Sequence, residues 1–346
     1  MAAAAASSAS EPAFLLLAQR VAVSMASLER TLFTEGGNEL LGVLFSCRLA
    51  GCLSQQVRES MLSTMKEVGA KLDSQAPGGL PKASKKDLPH LTMLDFSDRS
   101  VLFKPAGWEV YGQHVEKQLS DFVLAALGDA PIFHDPKHQH GFLHRLDVPS
   151  SRLVLVAKSY KAFYDLQCQL HTGDILRDYK VLCHGKLSAR RREIRAQLTP
   201  DERGPTMAGR GKASSSKIFL ERWIDCSIGA LSQAQLSIAT GRKHQIRSHL
   251  AHVGHPIVRD RLYSSRPTFQ SDARIAERNW LHRNRLVFGD LFGDRHEVHS
   301  DLPKDLQVPK KGAVWRADRA PGDDREEWLP RLPAAPLGSR LSASAE

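Results

Sequence analysis

The sequence predicts one mixed α+β domain with extensions at both ends, on three observations. Segments with strand character outnumber helical ones between Leu91 and Asp290, strands and helices do not follow a regular βαβ order, and there is no internal repeat. A chain of 346 residues can bury a large apolar core without disulfides or metal.

Taken in order, the first ten residues, MAAAAASSAS, are small and uncharged, and Arg20 and Arg30 follow. Residues 1–26 therefore read as a flexible N-terminus or an organellar transit peptide, of plastid or mitochondrion. Residues 27–73 read as a helical extension of two amphipathic stretches around Gly51, and 74–90 (SQAPGGLPKASKKDLPH) as a linker. The compact domain spans 91–300. Val101–Lys104 is strand-like and ends at the turn signal Pro105-Ala106-Gly107. Leu153–Ala157 (LVLVA) is the continuous apolar run of a buried strand. Ser159 caps a helix with Ala162, Leu166 and Leu170 on one face, and Gly173 ends it. Tyr179–His184, Ile218–Trp223, the alternating Gln233–Ala239 and Leu281–Phe288 are further strands. Thr240-Gly241 turns into a helix carrying Ile246, Leu250 and Val253 on one side. Residues 301–346 read as a loose, Pro-rich, charged tail.

Composition excludes several function classes. The five cysteines are scattered without a Cys-x-x-Cys pair, against a secreted disulfide scaffold or a cysteine-based zinc module. No apolar run approaches the ~20 residues of a membrane-spanning helix. A soluble protein of a reducing intracellular compartment is expected, as a monomer. Lys plus Arg number 48 against 38 Asp plus Glu, a net charge of +10. Residues 1–90 hold nine basic and eight acidic side chains, whereas 141–263 hold 21 and 10. The excess sits in the middle third, which suits a polyanionic partner, most simply nucleic acid, or else a well-solvated basic surface.

Two segments carry candidate chemistry. His144-Arg145-Leu146-Asp147 places an acid at the mouth of the buried strand, where it can be held rigidly and still face a cleft; a structural salt bridge is the plainer reading. Thr240–Leu250 (TGRKHQIRSHL) ends a strand in a Gly turn and opens a helix with Arg242, Lys243 and His244 beside exposed backbone N–H groups, a phosphate-favouring arrangement or a solvated basic face. Arg247, one turn in, can reach a carboxylate such as Asp147 and keep it ionised.

In order and spacing these segments resemble the RluA-type pseudouridine synthases. Val101–Gly107 (VLFKPAG) is similar to the family's opening strand and His144–Lys158 (HRLDVPSSRLVLVAK) to its catalytic block. Arg177-Asp178-Tyr179 through Gly185 is similar to its basic-x-tyrosine strand, and Thr240–Tyr263 (TGRKHQIRSHLAHVGHPIVRDRLY) to its long threonine-glycine-arginine block. The resemblance covers about Leu91 to Asp290. It implies a catalytic domain with a mixed, mainly antiparallel central sheet flanked by helices. The implied activity is isomerisation of uridine in structured rRNA or tRNA, without cofactor or metal. It implies Asp147 as the catalytic group, Tyr179 stacked on the uracil, Arg247 paired with Asp147, and Arg145 filling the space of the flipped base. Lys104, His144, Arg242, Lys243 and His244 are the further expected RNA-binding residues.

The chain departs from the family pattern at four points. Arg152 stands for a glycine, Arg259 for the glycine before a late aspartate, Arg283 for a small residue after Leu281-His282, and Gly289-Asp290 for a later His-Pro. A glycine lost at a position needing φ > 0 would strain the backbone. The alternative function is RNA binding by the same fold with weak or no catalysis. A metal site is the third class, suggested by His134, His138, His140 and His144 and by His244, His249, His252 and His255, but no standard zinc spacing occurs.

Overall fold

The computed structural model describes residues 37–49, 51, 53–76, 89–143, 147–201, 204–238, 240–307, 316–319 and 337–343. The expectations for residues 1–26 and for most of the 74–90 linker lie outside the described residues. The helices are α1 (Gly37–Leu49), α2 (Gln55–Gln75), α3 (Leu119–Ala126), α4 (Tyr160–Thr172), α5 (Gln245–His252) and α6 (Arg266–Ser271). The strands are β1 (Thr92–Asp95), β2 (Arg99–Lys104), β3 (Ser151–Ala157), β4 (Leu176–His184), β5 (Glu193–Thr199), β6 (Met207–Ala208), β7 (Lys212–Cys226), β8 (Gly229–Ile238), β9 (Leu281–Gly289), β10 (Arg295–Ser300), β11 (Arg316–Arg319) and β12 (Leu337–Ala343).

The strands form one sheet in the order β1-β2-β3-β9-β4-β8-β7-β5-β6. Every neighbouring pair on that path is antiparallel except β3 with β9, where Ser151 pairs His282 and Arg152 pairs Arg283 in parallel. The family's expected mixed, mainly antiparallel sheet is what the chain forms. β3 is buried along its whole length, as its unbroken apolar run requires.

Two apolar clusters meet along β9. One packs α3 and α4 on β2 and β3 and takes Leu286 and Phe288 from β9; the other packs α5 and Trp280 on β4, β7 and β8 and takes Leu281. The ends of α4 are set by sequence: the Ser159 hydroxyl accepts from Ala162 N, and Gly173 closes the helix at φ 86°. α1 and α2 lie on the outer side of α4 through Leu41, Leu44, Met61, Met65 and Cys168. Gly69 allows the close approach, since a Cβ there would lie 2.4 Å from Lys161 Cα. Asp73 of α2 accepts from the N–H groups of Tyr160 and Lys161 at 2.7 and 3.0 Å, so a carboxylate sits at the positive end of α4.

Several elements differ from the sequence expectation. β1, β10 and helix α3 are short and lack a clean period, so their neighbours, not their own patterns, define them, whereas β5 (EIRAQLT) alternates polar and apolar residues and its strand character stood in the sequence. Within the expected loose tail, β11 pairs β7 antiparallel and β12 pairs β10 in parallel. β10 would otherwise present an unpaired edge, and β12 satisfies its backbone groups. Among the described residues no helix is long and apolar enough to cross a membrane.

Candidate active site

At the sheet's centre, the first residues of β3 and β9, Tyr179 of β4 and the start of α5 surround a cavity of about 1150 Å³, lined by Asp147, Arg152, Tyr179, Arg242, Lys243, His244 and Arg247. Asp147 precedes β3 in a turn closed by Ser150 N donating to Asp147 O at 3.2 Å. Its side chain is 17% exposed. The start of α5 is fixed by Gln245, whose Oε1 accepts from the Thr240 hydroxyl at 2.6 Å and from Arg242 N at 3.2 Å. That second bond consumes one of the backbone donors expected to face phosphate.

Arg247 projects one turn into α5 and joins two carboxylates. Its Nη1 donates to Asp147 Oδ2 at 3.0 Å, while Nε and Nη2 grip Asp260 in a fork at 2.7 and 2.6 Å. Asp260 is fully buried. The guanidinium also lies 5.1 Å from the Tyr263 ring centre. Burial by itself would raise the Asp147 carboxyl. The charges of Arg152, Arg247 and His244 outweigh burial and hold it below the usual carboxylate range. His244 Nε2 stands 3.6 Å from Asp147 Oδ1, and burial pushes this imidazole below its ordinary value despite the nearby carboxylate. Asp147 is thus an ionised, mostly buried carboxylate at the wall of the cleft, aimed by an arginine that is itself anchored.

Tyr179 forms the opposite wall. The register places Lys104, Arg152, Arg283 and Tyr179 as direct neighbours across β2, β3, β9 and β4. Arg283 Nε and Nη2 both donate to the Tyr179 hydroxyl, at 3.0 and 2.5 Å, and its Nη1 donates to Leu153 O at 2.9 Å. The guanidinium carbons of Arg283 and Arg152 lie 5.0 and 5.6 Å from the Tyr179 ring centre. Burial raises the phenol, but the charges of Arg283, Arg152 and Arg177 prevail and bring it below its ordinary value.

Sequence reasoning named Asp147, Tyr179 and Arg247, and the fold brings all three to one cavity. His144 and Arg145 lie outside the described residues. Arg242 lines the cavity and stacks over Phe45 of α1 at 5.1 Å, and exposed Lys243 donates to Asp201 O. Lys104 is a correction: expected on the RNA surface, it is fully buried, and its ammonium donates to Pro105 O, Trp108 O and Val148 O at 3.0, 2.8 and 3.2 Å. Burial, with the charge of Arg152, pushes it down to about 7. A lysine ending a buried strand folds back onto the turn that follows it and braces the backbone of Val148, the neighbour of Asp147.

Three residues were not named as site residues. Asp260 sits inside the Thr240–Tyr263 block, and its place thirteen residues after Arg247 was the available signal. Arg152 and Arg283 were visible only as departures. Histidines grouped in sequence have separate structural partners: His249 bonds Ser214 and Ser216 at 2.9 Å each, and His138 bridges Asp135 and Tyr164.

Comparison with known proteins accords with this geometry. Residues 99–252 match the family model described as RNA pseudouridylate synthase. The ribosomal large subunit pseudouridine synthase D of Yersinia pestis is 31% identical over 199 residues, 54% of this chain and 59% of that protein. The ribosomal large subunit pseudouridine synthase C of Vibrio cholerae is 27% identical over 245 residues, 69% of this chain and 74% of that one. The chain therefore spans little more than half the length of the first of these relatives. The solved structure of human RNA pseudouridylate synthase domain containing 1 superposes with a TM-score of 0.52 at 20% identity, covering 72% of this chain and 96% of that one, a likeness of fold.

Proposed function

We propose that the chain is an RNA pseudouridylate synthase that isomerises uridine in RNA to pseudouridine, with Asp147 as the reacting carboxylate. The observation that carries this reading is the pairing of Asp147 with Arg247 at 3.0 Å in a cavity whose far wall is a buried tyrosine. A carboxylate kept ionised and partly desolvated is a competent nucleophile, and a phenol face gives a planar base something to lie against.

The target base leaves the RNA stack at a cost of a few kcal/mol and enters the cavity. Arg145, two residues before Asp147, takes the space it vacates. The N1–C1′ bond breaks with its electron pair on N1; C1′ is met by the Asp147 carboxylate, or its C2′ proton is withdrawn. The uracil turns and C5 bonds to C1′ as the bond to Asp147 breaks, or as the proton returns to C2′; the C5 proton then departs and N1 is protonated, so the reaction is a net isomerisation. Arg242, Lys243 and His244, which line the cavity, hold the RNA backbone, with His144 as a further contact. Large-subunit ribosomal RNA is the proposed substrate, because the similar bacterial proteins carry that substrate in their names.

The test compares wild type with Asp147→Asn on unmodified ribosomal and transfer RNA, mapping pseudouridine by carbodiimide-blocked primer extension. New stops with wild type that vanish with Asp147→Asn are expected. Salt-sensitive RNA binding without stops on any RNA would replace this reading with that of a binding protein.

A further inference from the structure

We propose that Arg152 is a catalytic residue that stabilises the departing uracil, its side chain donating to a carbonyl oxygen of the flipped base as negative charge develops there. The inference rests on the isomerase reading above. It starts from where the side chain stands. Arg152 is only 8% exposed, yet lines the cavity between the two reacting walls, with Nη2 3.7 Å from Asp147 Oδ2 and its guanidinium 5.6 Å from the Tyr179 ring centre. A base lying against Tyr179 and presenting C1′ to Asp147 must pass beside it.

Its donors are not used up by the protein. Nε is buried without a hydrogen-bond partner, and the approach to Asp147 is too long for a hydrogen bond. Nε has no exposed surface, so the Nη groups, which make no hydrogen bond among the described residues, are the donors left to an acceptor on a ligand in the cavity. The rest of the carboxylate's support comes from elsewhere, because Arg247 is tied to both Asp147 and Asp260 and has no need of Arg152. Strand β3 supplies the rigidity: the Arg152 backbone pairs Lys104 on one side and Arg283 on the other.

The chemistry needs a cation at this place. When N1–C1′ breaks, the bonding pair stays on the ring and spreads from N1 onto the two carbonyl oxygens. At the same time C1′ gains the Asp147 oxygen or the C2′ proton leaves. A fixed guanidinium facing a carbonyl lowers the energy of that anion more than of neutral uracil, which is the condition for accelerating the step. Arg152 also offsets the closeness of the Asp147 carboxylate to the departing anion. The arginine that replaces the family's usual glycine thus adds a function to the site, where a mark of decay would leave it idle.

The full chain is tested as Arg152→Gln and Arg152→Lys beside wild type, on one RNA carrying either uridine or 5-fluorouridine at the target. Loss of the parent nucleoside is followed under single-turnover conditions. Fluorine makes uracil a better leaving group, so it substitutes in part for the missing cation. Arg152→Gln is expected to cleave the uridine bond about 10²-fold more slowly with RNA affinity little changed. That deficit is expected to shrink about tenfold on 5-fluorouridine, with Arg152→Lys lying between. An unchanged rate in Arg152→Gln, or a deficit equal for both nucleosides, overturns the assignment while the isomerase reading stands. A wild type that consumes neither nucleoside overturns both.

Discussion

The two walls of the cleft hold similar side chains under opposite electrostatic rules. On the Asp147 wall, charges alternate: Asp260, Arg247, Asp147. On the Tyr179 wall, guanidinium groups of Arg283, Arg152 and Arg177 crowd one phenol. The first wall is a chain of satisfied pairs whose rigidity aims a carboxylate. The second holds a field of one sign that is relieved whenever negative charge arrives, whether on the phenol or on a ligand. A site built this way holds its carboxylate fixed and reserves its unspent attraction for negative charge arriving in the cavity.

The largest effect is expected from breaking the alternation. Asp260→Asn leaves Arg247 buried against a neutral amide, and loss of one partner of a buried pair typically costs about 3–5 kcal/mol. Denaturant unfolding should show a stability loss of that order, with isomerase activity falling because Arg247 no longer aims Asp147. A shift below 1 kcal/mol would mean that Asp260 and Arg247 are not a unit.

The next contrast lies on the phenol wall. Arg283→Met removes both donors to the Tyr179 hydroxyl and a positive charge beside it. The Tyr179 phenol should then titrate at higher pH, seen as a later rise of tyrosinate absorbance, with Tyr179→Phe identifying which rise belongs to it. Because the phenol of wild type is held below its unfolded value, its ionisation adds stability as pH rises through the window between the two values. Arg283→Met should flatten that rise. An unmoved tyrosinate transition would show that the hydrogen bonds do not govern the phenol.

The carboxylate wall gives the matching acid-side prediction. The folded Asp147 carboxyl lies below its unfolded value, so its contribution to stability is complete above the unfolded value. It is lost as pH falls through the folded value. Isomerase activity should therefore persist through the ordinary carboxylate range and fail only below it. Asp147 loses a cation in Arg152→Gln, and its acid limb should move up in pH.

How much of this was legible in the sequence follows the same division. Residues set by local pattern were readable: the apolar run of β3, the Ser159 and Gly173 ends of α4, and the motif positions Asp147, Tyr179 and Arg247. Lys104 was misread because its destination depends on two carbonyls of the turn after β2 and on the Val148 carbonyl beside Asp147, which no periodicity reveals. Arg152 and Arg283 were read as departures, since their meaning lies in a register between β3, β9 and β4 that joins residues more than one hundred positions apart. β12 was missed because its reason is the open edge of β10.

The smallest predicted effect separates the departures from one another. Arg152 lies on a strand and needs no glycine-like backbone, so the concern about φ does not apply there. Arg259 does adopt φ 61°, the left-handed region, at a cost on the order of 1 kcal/mol. Its compensation is local: the guanidinium lies 3.9 Å from the Phe269 ring centre, Nη1 donates to Phe269 O, and its backbone N–H donates to Asp272 at 2.6 Å. Arg259→Gly exchanges relief of strain for loss of these side-chain contacts and should stay within about 1 kcal/mol of wild type. Arg259→Ala keeps the strain and loses the contacts, so it should be the less stable of the two in thermal unfolding. The reverse order would place the stability of this corner in the chain's freedom to turn and not in the stacking that the arginine provides.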